Sequence, residues 1–284
     1  MSLKLISWNT AHRTRTLPEQ VEALLERSPD IVALQEVTVS TRDLLAHGLA
    51  EGGLGHFACS LDSPPAAETR GGPRRYGVAI ASRYPLECPT GLGLPVPWPE
   101  KTLSCRVSSP FGGVEVHTAH VPPGASNGWI KIETFEGIHA GLTGRPPAGH
   151  RLLCGDFNSP KEEHPDGTVV AWGQRRQPNG ELVAKRSIRG RPGERWPRAE
   201  RSVLLGLQAY DLTDVFRALH GYEREAASWV LKRKDKRFPR RFDHVFASAS
   251  LGARSCEYLH GCREAGLSDH AMLEAVFAPR PLRA

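Results

Sequence analysis

A single layered α/β domain is the fold class this sequence predicts, on three observations. Short apolar runs of strand length recur along the chain, the first of them alternate with helix-patterned segments, and no linker-like stretch divides the whole. The 284 residues suffice for one sizeable core. Hydrophobic content of 39% with 24% charged residues excludes wholesale disorder.

Leu3-Lys4-Leu5-Ile6-Ser7-Trp8 reads as a strand, with Asn9 where it ends. Thr16-Leu17-Pro18-Glu19 has capping-box spacing with Pro18 in the first turn, and Val21, Leu24 and Leu25 continue a helical stripe. Ile31-Val32-Ala33-Leu34 is a buried-strand run that delivers Gln35 and Glu36, after which Ser40 is placed to cap a helix to about Ala50. Strands then dominate: Phe57 to Ser60, a Pro/Gly loop from Pro64 to Pro73, Gly77 to Ser82, and a hairpin of Thr102 to Ser108 with Val114 to Ala119 around Pro110-Phe111-Gly112-Gly113. A helix follows from about Gly128 to Leu142, and Arg151-Leu152-Leu153-Cys154 is a strand that projects Asp156 and Asn158. Beyond a Pro-, Gly- and Arg-rich stretch, helices are expected over Ala199–Leu207 and Thr213–His220. Strands are expected near Ala227–Leu231, Asp243–Ala247, Arg254–Leu259 and Met272–Phe277. The reading is one domain over 1–284 with a basic insertion at about 160–198.

The net charge of +6 is concentrated. Gln174 to Arg201 holds nine bases against three acids; Lys232 to Arg241 holds seven against one, so the rest of the chain is net acidic. Such clusters suit a polyanion, although solvated basic loops are common. No run approaches the roughly 18 apolar residues that span a bilayer, and the opening residues lack a secretory signal. A cytoplasmic monomer is expected, with its six cysteines as reduced thiols, since no C-x-x-C pair suggests zinc or a disulfide framework.

Polar residues stand repeatedly just past the apolar runs: Asn9, Glu36, His120, Asp156 with Asn158, Asp243, and Asp269 with His270. Each alone has an ordinary explanation as a turn or a solvated strand end. Together they form the set of carboxylates, amides and imidazoles that a hard divalent cation and a phosphoester both require. His117 and His244 fall on the opposite parity of their strands and are read as structural.

Taken in order, Ser7-Trp8-Asn9, Leu34-Gln35-Glu36-Val37, Tyr76 to Pro85, Gly155-Asp156-Phe157-Asn158, Ser228-Trp229, Arg241 to Phe246 and Leu267-Ser268-Asp269-His270 resemble the motifs of the endonuclease/exonuclease/phosphatase superfamily, which includes exonuclease III, AP endonucleases and deoxyribonuclease I. The resemblance implies a four-layered α/β sandwich of two packed mixed β-sheets flanked by helices. It also implies a metal-dependent phosphoesterase using Mg²⁺, or Mn²⁺ in its place. By it Glu36 is the principal metal ligand with Asn9 and Asp269 nearby, Asp156 and Asn158 handle the attacking water, and His270, oriented by Asp243, binds the scissile phosphate. His120 stands where some members carry tyrosine and others histidine, and is an acid or phosphate contact. Pro123 stands where exonuclease III types carry asparagine.

The function expected is that of a DNA nuclease, of repair endonuclease or exonuclease type. The alternative is a phosphatase or phosphodiesterase of a small phosphorylated metabolite or lipid headgroup. Arg186 and Arg189 of the insertion are expected to contact DNA phosphates, and Trp229 to stack on a base, with Trp172 as a further stacking candidate. A silent nucleic-acid-binding module is disfavoured, because it would have no reason to keep so costly a charged cluster.

Overall fold

The computed structural model describes residues 2–62, 71–145 and 149–279, so most of the Pro64–Pro73 loop lies outside the described residues. In chain order the elements are β1 (Leu3–Asn9), α1 (Leu17–Glu26), β2 (Ile31–Val37), α2 (Val39–Glu51), β3 (His56–Cys59), β4 (Gly77–Ser82), β5 (Leu86–Glu87), β6 (Thr102–Ser109), β7 (Gly112–His120), α3 (Gly124–Asn127), α4 (Trp129–Thr143) and β8 (His150–Asp156). The insertion then forms three small hairpins from β9 (Glu162–Glu163), β10 (Val169–Val170), β11 (Gln174–Arg176), β12 (Leu182–Ala184), β13 (Ser187–Ile188) and β14 (Arg191–Pro192), and ends in α5 (Arg195–Leu204). β15 (Thr213–Asp214), α6 (Val215–His220), β16 (Trp229–Arg233), β17 (Lys236–Arg240), β18 (Asp243–Ala247), β19 (Ala253–Leu259), α7 (Gly261–Glu264) and β20 (Met272–Phe277) complete the chain.

Two six-stranded mixed sheets carry the molecule, in the orders β19-β20-β1-β2-β4-β3 and β15-β18-β8-β7-β6-β5. Each contains one parallel pair, β1 with β2 and β7 with β8, and is otherwise antiparallel. Strand alternation sorts the apolar residues into layers. Leu3, Leu5, Ile31, Ala33, Val114, Val116, Leu152, Cys154 and Val245 meet between the sheets. Ile6, Trp8, Val32 and Leu34 face outward onto α1 and α2, while Leu153, Phe157 and Phe246 face outward onto α4 and α5. The result is helix, sheet, sheet, helix. Among the described residues no helix is long and apolar enough to cross a membrane.

Several local expectations are corrected. Thr16 is the N-cap of α1 but makes no side-chain cap hydrogen bond, leaving Pro18 as the start signal. α2 is capped at Thr38, two residues before Ser40, and the Thr38 N–H donates to the Thr41 hydroxyl at 3.0 Å. α5 begins at Arg195 rather than Ala199 because Trp196 is buried and carries the apolar face upstream. The reading of six free thiols fails at Cys88 and Cys105, which form a disulfide linking the residue just after the edge strand β5 to its neighbour β6. Their 17-residue separation has no signature, because the pairing is set by strand register.

One buried ion cluster ties the insertion to the second sheet. Glu163 of β9 accepts two bonds of 2.7 Å from Arg241 and one of 2.7 Å from Arg217, and Asp214 accepts from Arg241 at 2.8 Å. Burial alone would raise the Glu163 carboxyl, but Arg241 and Arg217 outweigh it and hold it at about 2, below its ordinary 4.5. A carboxyl depressed on folding stabilises fully above its unfolded value and loses that contribution as pH falls through the folded value. Unfolding free energy is therefore expected to drop by on the order of 3 kcal/mol from this group as pH falls from about 4.5 to about 2. Urea titrations across that range should show it, with a shallower dependence in Glu163→Gln.

Candidate active site

The same alternation that builds the layers carries polar side chains to one edge of the sandwich. On β1 the inner-face series Leu3, Leu5, Ser7 ends at Asn9; on β7 the series Val114, Val116, Thr118 ends at His120; on β8 Leu152 and Cys154 lead to Asp156; on β18 Asp243 begins the series continued by Val245. The register aligns them, with His120 opposite Asp156 and Asp156 opposite Asp243. His117 and His244 have the other parity. His117 is buried against the Ser104 hydroxyl at 2.8 Å, and His244 lies 3.1 Å from Asp214 and 2.8 Å from the Ser159 carbonyl.

Glu36 breaks the rule. By parity with Val32 and Leu34 it would face the helices, but the β2–β4 register shifts between Gln35 and Val37, and Glu36 takes a left-handed φ of 59°. This bulge turns its carboxylate to the site, a local strain of the kind that collects where function requires it. Glu36 Oε1 accepts from Asn9 Nδ2 at 3.2 Å and lies 3.8 Å from His120 Nε2, while Oε2 is 2.7 Å from His12 Nδ1. Burial pushes this carboxyl up, but His120, His12 and Asn9 together bring it below its ordinary value.

Asp156 is 1% exposed. Its Oδ2 accepts from Asn9 Nδ2 at 2.9 Å, and its Oδ1 accepts the Asn158 backbone N–H at 2.8 Å. Burial raises it to about 7, with Asp243 adding to the rise and His270 opposing it. His270 Nδ1 lies 2.8 Å from Asp243 Oδ2, and its Nε2 lies 3.8 Å from Asp156 Oδ2. Burial disfavours the imidazolium, yet the charges of Asp243 and Asp156 prevail and raise it to about 10. His120 goes the other way: burial and the Lys101 charge lower it to about 3, so it presents a neutral ring at pH 7.

Backbone and side-chain anchors fix this geometry. Ser268 donates to the Asn9 carbonyl at 2.6 Å and accepts the His270 N–H at 3.1 Å; the Trp8 indole donates to the His270 carbonyl at 3.1 Å. The Ser228 hydroxyl accepts the Phe242 and Asp243 N–H groups, and Tyr258 donates to the Asp243 carbonyl at 2.6 Å. Asn158 has φ 50° and donates from Nδ2 to the Val121 carbonyl at 2.9 Å.

Asp156, Asp243 and His270 each offer a ligand atom within 4.8 Å of the others, a set capable of coordinating a metal ion. The wider donor set also fits a cation. Three carboxylates converge, and the buried Oδ1 of Asp243 has no hydrogen-bond partner among the described residues. Glu36 and the exposed Asp269 line one open cleft of about 560 Å³ with Ala11 to Thr16. Asn9 turns its Nδ2 to the carboxylates and its Oδ1 to the Ala11 N–H at 2.9 Å, so it joins Glu36 to Asp156 as a donor.

The residues expected to contact substrate are placed as follows. Trp229 stacks on Phe242, ring centroids 5.4 Å apart, and donates to Asp269 at 3.0 Å, which spends its indole N–H on orienting that carboxylate. Arg189 donates to the Ala125 carbonyl at 2.7 Å, while Arg191 and Arg195 pair with Glu133 and Glu136 of α4. Arg186 is exposed. His12, Lys101, Tyr258 and Lys131 were not legible as site residues: His12 lies in an aperiodic loop, and the others become neighbours of the site only through the packing of distant segments.

The sequence model of the Endonuclease/Exonuclease/phosphatase family matches residues 6–270. No curated protein sequence matches significantly. Among solved structures, an AP endonuclease from Archaeoglobus fulgidus is 23% identical with a TM-score of 0.67, over 97% of this chain and 99% of that one. The 3′ phosphatase NExo from Neisseria, bound to product DNA hairpin, is 23% identical with a TM-score of 0.62, over 97% and 99%. An endonuclease/exonuclease/phosphatase from Beutenbergia cavernae DSM 12333 is 17% identical with a TM-score of 0.61, over 98% and 72%.

Gly155 shows how tightly the Asp156 backbone is held. It has φ 137°, and a Cβ there would lie 2.0 Å from the Ala119 carbonyl oxygen. Gly155→Ala is expected to lose at least about 2 kcal/mol of stability, read as a fall in thermal midpoint, because β7 and β8 must separate to admit the methyl group.

Proposed function

This chain belongs to the endonuclease/exonuclease/phosphatase family, and from that premise we propose that it is a divalent-metal-dependent phosphodiesterase acting on DNA. The observation that carries the reading is the convergence of Asn9, Glu36, Asp156, Asp243 and His270 at one edge of the sandwich, with Asp156 raised to about 7 and His270 to about 10 by their surroundings. Two neighbouring groups whose environments separate their proton affinities suit a base and a cationic phosphate contact.

Glu36, with Asp269 on the same cleft, would hold Mg²⁺ or Mn²⁺, which when bound supplies Lewis acidity to the phosphoryl oxygen and to water. Asp156 takes the proton of the attacking water. Asn158, through its N–H on Asp156 Oδ1, orients that carboxylate. His270 keeps its proton on Nε2 because Asp243 engages Nδ1, and so presents positive charge to the scissile phosphate. His120, neutral and 3.8 to 3.9 Å from Glu36 and Asp156, serves as a hydrogen-bond donor to phosphate rather than as a charged acid.

A polymeric substrate is supported by the β16–β17 hairpin. Its base holds Trp229 against Asp269, and its exposed outer part carries Lys232, Arg233, Lys234, Lys236 and Arg237. These cations stand in solvent on the same hairpin that sets Trp229 against Asp269 of the cleft, and would meet a phosphate backbone entering the site. With Arg189, Arg191 and Arg195 engaged on the protein itself, the hairpin replaces the insertion as the main polyanion contact in this reading. A phosphomonoester at a DNA end is the second candidate, since the Neisseria relative is described as a 3′ phosphatase.

Purified protein with Mg²⁺ or Mn²⁺ should cleave one or more of abasic, nicked, single-stranded and duplex DNA, and lose activity to chelators. Asp156→Asn is expected to lower kcat by about 10² to 10⁴-fold. Turnover only of inositol phosphates or sphingomyelin, with every DNA untouched, would replace DNA as the substrate. Replacing Lys232, Arg233, Lys236 and Arg237 together by Ala should weaken DNA binding and reduce the slope of log K against log salt by roughly 0.9 for each lost duplex phosphate contact. An unchanged slope removes the hairpin from the interface.

A further inference from the structure

The carbonyl of Asn158 is the meeting point of three distant segments. Lys131 of α4 donates to it from Nζ at 2.8 Å, and Trp172, in the turn after β10, donates from its indole at 3.0 Å, so both lone pairs of that oxygen are used. Lys131 is 1% exposed, and its ammonium lies 3.3 Å from Oε1 of Glu200, a fully buried residue of α5. Glu200 in turn accepts the Trp172 backbone N–H at 3.1 Å and the Trp196 indole N–H at 2.7 Å. The chain leaves Asn158 to begin the insertion, and the insertion returns to grip the residue it left.

The grip falls on a conformation that needs holding. Asn158 sits at φ 50°, a left-handed conformation that Asn adopts more readily than most residues with a Cβ but that still needs local support, and from there its N–H reaches Asp156 Oδ1. The insertion is seated firmly enough to do this. Trp196 packs edge-on to Trp129 at 5.4 Å, Arg195 forms a forked pair with Glu136, and a Cβ on Gly124 would lie 2.6 Å from the Trp196 ring. A buried Lys–Glu pair contributes little net stability against the cost of desolvating both charges. Its placement on one strained carbonyl beside Asp156 points to positioning.

We propose that Lys131, Trp172, Trp196 and Glu200 form a brace through which the insertion holds Asn158 in the left-handed conformation that orients Asp156, making them positioning residues for hydrolysis. This rests on the reading of Asp156 as the water-activating carboxylate. It assigns the insertion an internal task, distinct from contact with nucleic acid.

The test uses the full chain and two conservative variants. Trp172→Phe keeps the ring and removes the indole donor; Glu200→Gln keeps the shape and removes the charge that neutralises Lys131. Hydrogen–deuterium exchange of the 155–161 segment needs neither substrate nor metal, and steady-state kinetics on the DNA cleaved by the wild-type protein supplies the second readout. Expected are exchange at least about 10-fold faster within 155–161 only, and kcat lower by about 10- to 100-fold with KM unchanged. Unchanged exchange or unchanged kcat in both variants overturns the brace. So does faster exchange throughout the molecule in both, which would mark the residues as merely structural. Full activity in Asp156→Asn would instead overturn the functional reading, and the exchange measurement would still decide whether the brace exists.

Discussion

Asp156 and Asp243 are opposite each other on neighbouring antiparallel strands, both on the inner face and both buried. Like charges so placed repel across a sheet, and the low polarity around them magnifies the effect. His270 relieves it, with one ring nitrogen 2.8 Å from Asp243 and the other 3.8 Å from Asp156. The loop that carries the imidazole is pinned by the Trp8 indole on its carbonyl, Ser268 on its N–H and again on the Asn9 carbonyl, with Gln20 on the Leu267 carbonyl and the Ala271 N–H on the Ser228 carbonyl. Through these bonds the end of β1, the loop before β20 and the start of β18 become one rigid edge.

That arrangement gives two chemically similar carboxylates different surroundings. Asp243, bonded to the ring, keeps the imidazole charged and aimed. Asp156, desolvated and bonded only to neutral donors, is left near the proton affinity of a working base. Glu36 lies below its ordinary value against its own burial, with Asn9 and His12 bonded to its two oxygens. The three carboxylates thus differ through their neighbours, while Asn9 joins two of them as a neutral donor and adds no charge.

The positive charge of the chain is likewise partitioned by structure. Arg189, Arg191 and Arg195 fasten the insertion to α3 and α4, and Arg217 and Arg241 are buried around Glu163. These guanidiniums join layers of the protein itself. The β16–β17 hairpin keeps its cations in solvent. A net charge read from composition therefore overstates what the insertion offers a polyanion, because part of it is spent on contacts within the protein.

By itself the sequence determined the layered α/β class and most of the edge. Asn9, His120, Asp156 and Asp243 could be read because each stands at the end or start of a short apolar run of strand length, a local signal, and because the motifs around them resemble those of the family. The tertiary structure alone decided the rest, because each remaining feature joins residues far apart in the chain. The bulge that turns Glu36 inward is defined by its register with β4. His12 reaches Glu36 from an aperiodic loop, the Cys88–Cys105 bond follows from strand pairing, and β17 forms from a basic run with no strand pattern. The Lys131–Glu200 pair beneath Asn158 has no local signal at all: a charged residue on an apolar helix face reads as an interruption until the fold supplies its partner.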